Sequence, residues 1–484
     1  MHASIIIKIL GLLLMLFSAL GNFPAIVVSY IYQDGAASTF FNSFLIIFAI
    51  GFVLWLITAR THKELGNKDG FLIVTLFWSV LGTAGCLPFI LTQSLQLSFT
   101  DAAFESISGL TTTGATVISG LDALPKSILF YRQQLQWFGG MGIIVLAMAL
   151  LPMLGIGGMQ LYRAESPGPV KDNKLVPRLA ETAKALWYIY LTLTVVCAVA
   201  FWLVGMSVFD AISHSFTTVA IGGFSTHDLS LGYFNSPAID TVAILFMFIA
   251  GINFALHFTA WQRRTIGHYL RDPEFQFYSF ILVSLSIVTV LVLYFSATYI
   301  TIFESVIKGV FQVVSIATTT GFTTANFASW PLFLPYMLMY AAIIGACAYS
   351  TGGGMKVIRI LLIFKQGIRE VQRLIHPKAV IPIKLGRNPV SDRIIESVWG
   401  FFAVYVMVFM AMLLALLATG LDIITAFSAV AACINNLGPG LGSVATTYGD
   451  IPATAKWILC LTMLLGRLEI FTLLVLFTPM FWKR

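Results

Sequence analysis

Apolar residues run in long blocks, broken by short polar turns, from one end of the chain to the other. The first two blocks, Ile5 to about Tyr32 and Phe40–Thr58, are joined by the turn QDGAAS. A helix needs about 20 apolar residues to cross a bilayer core, so both read as spans. A four-part unit follows: a long block (Phe71–Leu91), a short one (Asp101–Leu110), a Thr/Gly loop (LTTTGAT, 110–116) and a second long block (Leu129–Leu154). The unit recurs three times. The second runs Ala185–Val204, Asp210–Thr217, TVAIGGFS (218–225), Ile239–Trp261. The third runs Phe277–Phe295, Ile302–Ala317, TTTGFTT (318–324), then Pro331 to about Phe364. The fourth runs Ser397–Leu417, Asp422–Cys433, NNLGPG (435–440), Ala455–Phe477. The short blocks are too brief to cross and read as re-entrant half-helices. Aligning Gly114, Gly222, Gly321 and Gly438 spaces the units by 108, 99 and 117 residues, an internal repeat.

Composition agrees. In 484 residues, 58% are hydrophobic and 10% charged, with a mean hydropathy of +0.90, which excludes an ordinary soluble enzyme. The first block is too long for a signal-peptide core and reads as a span. The net charge of +7 follows topology rather than nucleic-acid binding. Most Lys and Arg fall within 60–68, 163–184, 263–271, 356–393 and 483–484. The positive-inside rule puts those segments, and both termini, in the cytoplasm. Each unit then begins and ends on that side, so all four loops share the extracellular half. Inverted repeats are not what this pattern gives. The predicted fold is an all-α polytopic membrane protein: two N-terminal spans, then four parallel span–half-helix–loop–span repeats with pseudo-fourfold symmetry around one pore. The divisions are a hairpin over 1–68, repeat one over 69–160, a cytoplasmic linker with repeat two over 161–271, repeat three over 272–375, and a linker with repeat four over 376–484. Cys86, Cys197, Cys347, Cys433 and Cys460 stand singly in apolar sequence, with no metal-site or disulfide spacing.

Irregular backbone at membrane depth is tolerated only inside protein or along a watery cavity, so four such loops predict a shared cavity. Aligned backbone carbonyls can replace a cation's water shell, and glycine permits the required conformations. A half-helix aimed at the cavity by its C-terminus places about half a negative charge there. Asp101, Asp210, Glu304 and Asp422 sit at the outer starts of the half-helices, where they suit helix capping and could also concentrate cations.

Several stretches, FESISGLTTTGAT (104–116), WFGGMGIIVL (137–146), LYRAESPGPVKDNK (161–174), HSFTTVAIGGFSTHD (214–228), STGGGMKVIRILLIFKQG (350–367), NNLGPGLG (435–442) and GRLEIFTLLVLFTP (466–479), are similar to the Trk/Ktr/HKT superfamily of potassium transporters, and within it to the bacterial TrkH/TrkG subunits. The resemblance covers nearly the whole chain. It implies a potassium filter at Thr112-Thr113-Gly114, Ala220-Ile221-Gly222, Thr319-Thr320-Gly321 and Asn436-Leu437-Gly438. With one reliable glycine per repeat, such a filter should select potassium over sodium only modestly. It also implies a homodimer and a TrkA-like cytoplasmic nucleotide-binding ring that controls a gate, with potassium the transported ligand and no covalent cofactor.

Two features are candidate gates. Gly352-Gly353-Gly354 interrupts the last span of repeat three, and each glycine costs a helix about 1 kcal/mol against alanine. From the residues alone, either the helix ends there or the break has a role; the resemblance implies an intramembrane loop below the filter. Arg467 lies inside the last span of repeat four, where a charge marks a functional hypothesis or a structural pairing. The resemblance puts it in the permeation path. Asn253 and His257 fall on one face of their span and His214 should position the second loop, whereas Lys308 finds no role. The competing function is an alternating-access potassium symporter driven by protons or sodium; an intramembrane hydrolase lacks facing nucleophile and base. No nucleotide-binding motif is visible, so ATP hydrolysis by this chain is not expected.

Overall fold

The computed structural model describes residues 3–61, 67–142, 179–386 and 388–483. The expected end of repeat one's last span at Leu154, the last four residues of WFGGMGIIVL and the stretch LYRAESPGPVKDNK lie outside the described residues. The chain is predominantly helical.

Helices α1 (Ala3–Tyr32) and α2 (Ala37–Thr58) form the predicted hairpin. A Cβ on Gly11 would lie 2.6 Å from Gly51 O, and one on Gly51 would lie 2.7 Å from Gly11 O. Paired small residues let the two backbones approach, a recurrent way of packing helices in a bilayer. Their outer faces carry exposed Phe23 and Val27 on α1 and Phe41, Leu45 and Leu56 on α2, as lipid contact demands.

The repeats follow. Repeat one has α3 (Asn67–Ala84, extended by the turn Leu87–Leu91), the short α4 (Phe99–Leu110) and α5 (Lys126–Met141). Repeat two has α6 (Leu179–Leu203), the short α7 (Val208–Ala220), α8 (Pro237–Ala250) and α9 (Phe254–Arg263). Repeat three has α10 (Pro273–Phe295), the short α11 (Ile302–Ala317), α12 (Leu334–Ile344) and α13 (Val357–Ile375). Repeat four has α14 (Asp392–Leu417), the short α15 (Ile423–Ile434), α16 (Ala453–Arg467) and α17 (Phe471–Leu474). A two-residue antiparallel ladder, β1 (Lys384–Leu385) with β2 (Asn388–Pro389), precedes α14. Among the described residues six helices are long and apolar enough to cross a membrane, or eight if each bent pair counts as one.

The short helices start alike. Ser98, Ser207 and Thr301 accept the amides of Asp101, Asp210 and Glu304, three residues on, and Asp422 accepts that of Thr425. Hydroxyl caps with an acid three residues later satisfy orphan amides and suit the positive end of the helix. The fourth acid is itself the cap.

Two last spans differ from the continuous helices read in the sequence, and the interruption expected in the third begins earlier than its glycine run. The α8–α9 pair bends by 91° and the α16–α17 pair by 107°. Asn253 is the cap of α9, accepting Ala255 N at 2.9 Å, so it does not share a helix with its preceding residues. His257 bonds Ile249 O at 3.0 Å and Tyr269 Oη at 2.8 Å across that bend. In repeat three, α12 stops at Gly345 (φ 73°) and regular helix resumes only at Val357.

Candidate functional site

Each short helix ends in one backbone manoeuvre. Thr112, Ile221, Thr319 and Asn436 all turn left-handed, with φ of 56°, 55°, 69° and 52°. The next amide then reaches back five residues into its helix. Thr113 N bonds Ser108 O (2.8 Å), Gly222 N Thr217 O (2.8 Å), Thr320 N Ser315 O (2.7 Å) and Leu437 N Ala432 O (2.8 Å). A left-handed glycine follows in every case: Gly114 (79°), Gly223 (80°), Gly321 (86°) and Gly438 (96°). Two left-handed residues in three positions reverse the helix into an extended loop, which a β-carbon at the second would resist.

These glycines bring the loops into a closed ring. A Cβ on Gly114 would overlap Gly222 O, one on Gly223 would overlap Thr320 O, and one on Gly321 would overlap Leu437 O. One on Gly438 would lie 2.7 Å from Thr113 O, returning to the first loop. Loop one abuts two, two abuts three, three abuts four, and four abuts one.

The ring changes one register. In repeat two, Ala220 is the last residue of α7, and the residues matching Thr112-Thr113-Gly114 are Ile221-Gly222-Gly223. Gly222 is therefore the counterpart of Thr113, Thr320 and Leu437, not of the left-handed glycines. TVAIGGFS has adjacent glycines, and only backbone conformation distinguishes them.

Behind the ring the repeats diverge. Eight residues before Thr113, Gly222, Thr320 and Leu437 stand Glu105, His214, Gln312 and Ala429. Glu105 is fully buried, pairs with Arg132 at 2.8 Å and accepts Val117 N and the Thr116 hydroxyl. His214 bridges Asp210 O and the Ser225 hydroxyl, both at 2.9 Å, so it ties α7 to the second loop as expected. In the third quarter Ser315 donates to Phe322 O at 2.7 Å. In the fourth, Ser428 accepts Leu441 N and Tyr448 Oη donates to Gly438 O at 2.7 Å.

The underside of the ring meets the glycine run. Gly353 N donates to Thr319 Oγ1 at 2.7 Å and Gly354 N to Asn435 O at 3.2 Å. Thr351 Oγ1 donates to Val219 O at 2.9 Å, while Gly352 packs under Thr318 O, where a Cβ would lie 2.8 Å away. Arg467 reaches the same level. Its guanidinium contacts Thr112 Oγ1 (3.4 Å), Thr351 O (3.5 Å), Gly139 O and Gly140 O (3.3 Å). The structure thus brings Arg467 and Thr351, the residue before the glycine run and 116 residues away, to one place under the loops.

Sequence reading missed the groups that hold this layer. Lys356 is buried and donates to Gly352 O at 2.7 Å, and Arg359 pairs with Glu469. Lys308, without a role in the sequence, pairs with Asp240 of α8 at 3.0 Å; Lys456 pairs with Asp101 at 2.6 Å. The available signal was opposite single charges in separate apolar blocks. Above the ring, His227 lies between Asp122 (2.5 Å) and Asp210 (3.5 Å), stacked on Tyr233.

A profile of the TrkH family, described as a cation transport protein, matches residues 36–484. The chain belongs to the TrkH family. It is 58% identical to the Trk system potassium uptake protein TrkH of Vibrio parahaemolyticus over 480 residues, covering 99% of both chains. It is 57% identical to TrkH and 41% identical to TrkG of Escherichia coli strain K12, covering 100% of this chain in each comparison and 100% and 99% of those proteins. The crystal structure of the potassium transporter TrkH from V. parahaemolyticus superposes with a TM-score of 0.91 at 55% identity, covering both chains completely. A TrkH-family chain is a membrane transport protein, not an enzyme.

Proposed function

We propose that this chain is the membrane subunit of a potassium-uptake system and conducts through a gated, channel-like pore. The observation that carries the reading is the closed ring of four loops with one shared backbone conformation. Such a ring can offer a cation several carbonyls at once, and four aligned helix C-termini add negative potential. The filter would comprise Thr112-Thr113-Gly114, Ile221-Gly222-Gly223, Thr319-Thr320-Gly321 and Asn436-Leu437-Gly438, with the four repeats, divided near 160, 271 and 375, around one axis. Because the four quarters differ in side chain, selection of potassium over sodium should be modest. Gly352–Gly354 and Arg467 would form the gate, since both touch the ring from below. The names of the relatives support potassium as the ion and a multi-component Trk system, hence a TrkA-like nucleotide-binding ring at the cytoplasmic face. The basic segments fit a bacterial inner membrane with both termini cytoplasmic. A homodimer follows from family likeness alone.

The test is ion flux and single-channel recording in proteoliposomes, with and without the regulatory ring. Unitary currents that follow the electrochemical gradient support the pore. Strict dependence of uptake on a proton or sodium gradient would favour the alternating-access symporter instead. Strong exclusion of both sodium and rubidium would refute modest selectivity.

A further inference from the structure

Gln136 belongs to α5 of repeat one, yet its side chain serves the loop of repeat two. Its Nε2 donates to Gly222 O at 2.6 Å, and its Oε1 accepts Phe224 N at 3.0 Å. The side chain is fully buried. One amide therefore clamps the loop on both sides of Gly223. Among the described residues, Gly222 O is the one carbonyl of the set Thr113, Gly222, Thr320 and Leu437 that takes a side-chain hydrogen bond.

The clamp also accounts for the second glycine of TVAIGGFS. Gly223 is glycine because its backbone is left-handed and faces Thr320 O. Gly222 has no positive φ; a Cβ there would overlap the amide of Gln136. Two consecutive glycines make this quarter the most pliant of the four. Arg132, one helical turn earlier on α5, adds a hydrogen bond to Ser225 O at 3.2 Å and lies over the Phe224 ring. A buried polar group left without its partner is costly, so the amide and the loop hold each other in place.

We propose that Gln136 is a positioning residue for ion selectivity, acting through Gly222 O. This rests on reading the ring as the filter. A carbonyl already engaged by an amide donor offers a cation less electron density, and it cannot move inward to follow a smaller ion. Removing the donor frees the most pliant carbonyl of the ring, so sodium should gain more than potassium.

The experiment compares potassium-to-sodium permeability ratios, from reversal potentials in proteoliposomes, for the wild-type chain, Gln136→Leu, Gln136→Glu and Gln134→Leu. Gln136→Glu, measured at alkaline pH where the carboxylate is ionised, keeps an acceptor for Phe224 N but has no donor for Gly222 O. Gln134 makes a comparable bond from the same helix to Leu20 O at 2.8 Å, away from the ring. Both Gln136 variants should lower the ratio by roughly fivefold, the worth of one net hydrogen bond, while Gln134→Leu keeps it. An unchanged ratio in a conducting Gln136 variant would overturn the proposal, as would an equal fall in Gln134→Leu. If Gln136→Leu fails to assemble, Gln136→Glu decides. Wild-type proteoliposomes that carry no gradient-driven potassium current would overturn the pore reading itself, and this proposal with it.

Discussion

Arg359 Nη2 lies 2.5 Å from Glu469 Oε2, joining the first turn of α13 to the bend that follows α16. Arg359 also lies 4.0 Å over the Phe401 ring. The glycine run leads into α13 and Arg467 ends α16, so this pair fastens together both parts of the layer beneath the ring. Glu469 and Ile470 are both left-handed, at φ 52°, and that bend turns Glu469 toward Arg359.

Breaking the pair should therefore loosen the layer. Removing one partner of a buried pair costs about 3–5 kcal/mol, less here because Glu469 is 22% exposed. Glu469→Gln and Arg359→Leu should each raise basal potassium flux several-fold in proteoliposomes without the regulatory ring. The swapped double variant Arg359→Glu/Glu469→Arg should recover part of the control. Wild-type basal flux in both single variants would show that the pair does not restrain conduction.

Arg467 acts on the same layer from the other side. Its guanidinium contacts Thr112 of the first loop and Thr351 beside the glycine run. A cation passing there meets a fixed positive charge. Arg467→Ala should increase flux, and Arg467→Lys, which keeps the charge but loses the planar fork, should increase it less. Poor assembly with unchanged flux per assembled protein would make the residue purely structural.

His227, in the non-helical segment that follows the second loop, brings pH into the stability of the region above the ring. Burial opposes its protonation, but contacts with Asp210 and Asp122 outweigh that and raise its pKa. Asp228, Tyr233, Phe234 and His214 complete its surroundings. A histidine whose pKa is raised on folding contributes fully below its unfolded value of about 6.5, and the contribution fades as pH rises through the folded value. Burial also opposes the charge of Asp122, yet its bonds to His227 and Asp228 lower its pKa. Its contribution is lost only on acidification below about 3.9, outside the histidine window. Thermal stability should fall as pH rises from below 6.5 into the alkaline range, and His227→Gln should flatten that slope. An equal slope in the variant would remove His227 as its source.

The short helices and the four loops were legible in the sequence because apolar block length and Thr/Gly punctuation are local signals. Ile302–Ala317 coincides with the observed helix to the residue. Bends were not legible. IAGINFALH and GRLEIFTL look like unbroken apolar helix, and what breaks them is Asn253 capping α9 and Glu469 turning to a distant Arg359. The charge pairs were hidden for the same reason: Lys308 and Asp240 are 68 residues apart, and Arg132 and Glu105 lie on different helices. Sequence spacing holds no record of which apolar blocks become neighbours.

The register of the second loop offers the most direct check of the ring. Gly223→Ala places a side chain on a left-handed residue, at about 1–2 kcal/mol, and against the backbone oxygen of Thr320. No side-chain rearrangement relieves that, so it should abolish potassium flux. Gly222→Ala is different, since its Cβ meets only the amide of Gln136 among its nearest atoms. It too should impair flux, but combining it with Gln136→Ala should restore conduction, because the obstacle is then gone. The same second substitution should not rescue Gly223→Ala. Flux assays on the four variants, normalised to assembled protein, settle the register. Conduction by Gly223→Ala together with an unrescued loss in Gly222→Ala would return Gly222 to the place of Gly114, Gly321 and Gly438.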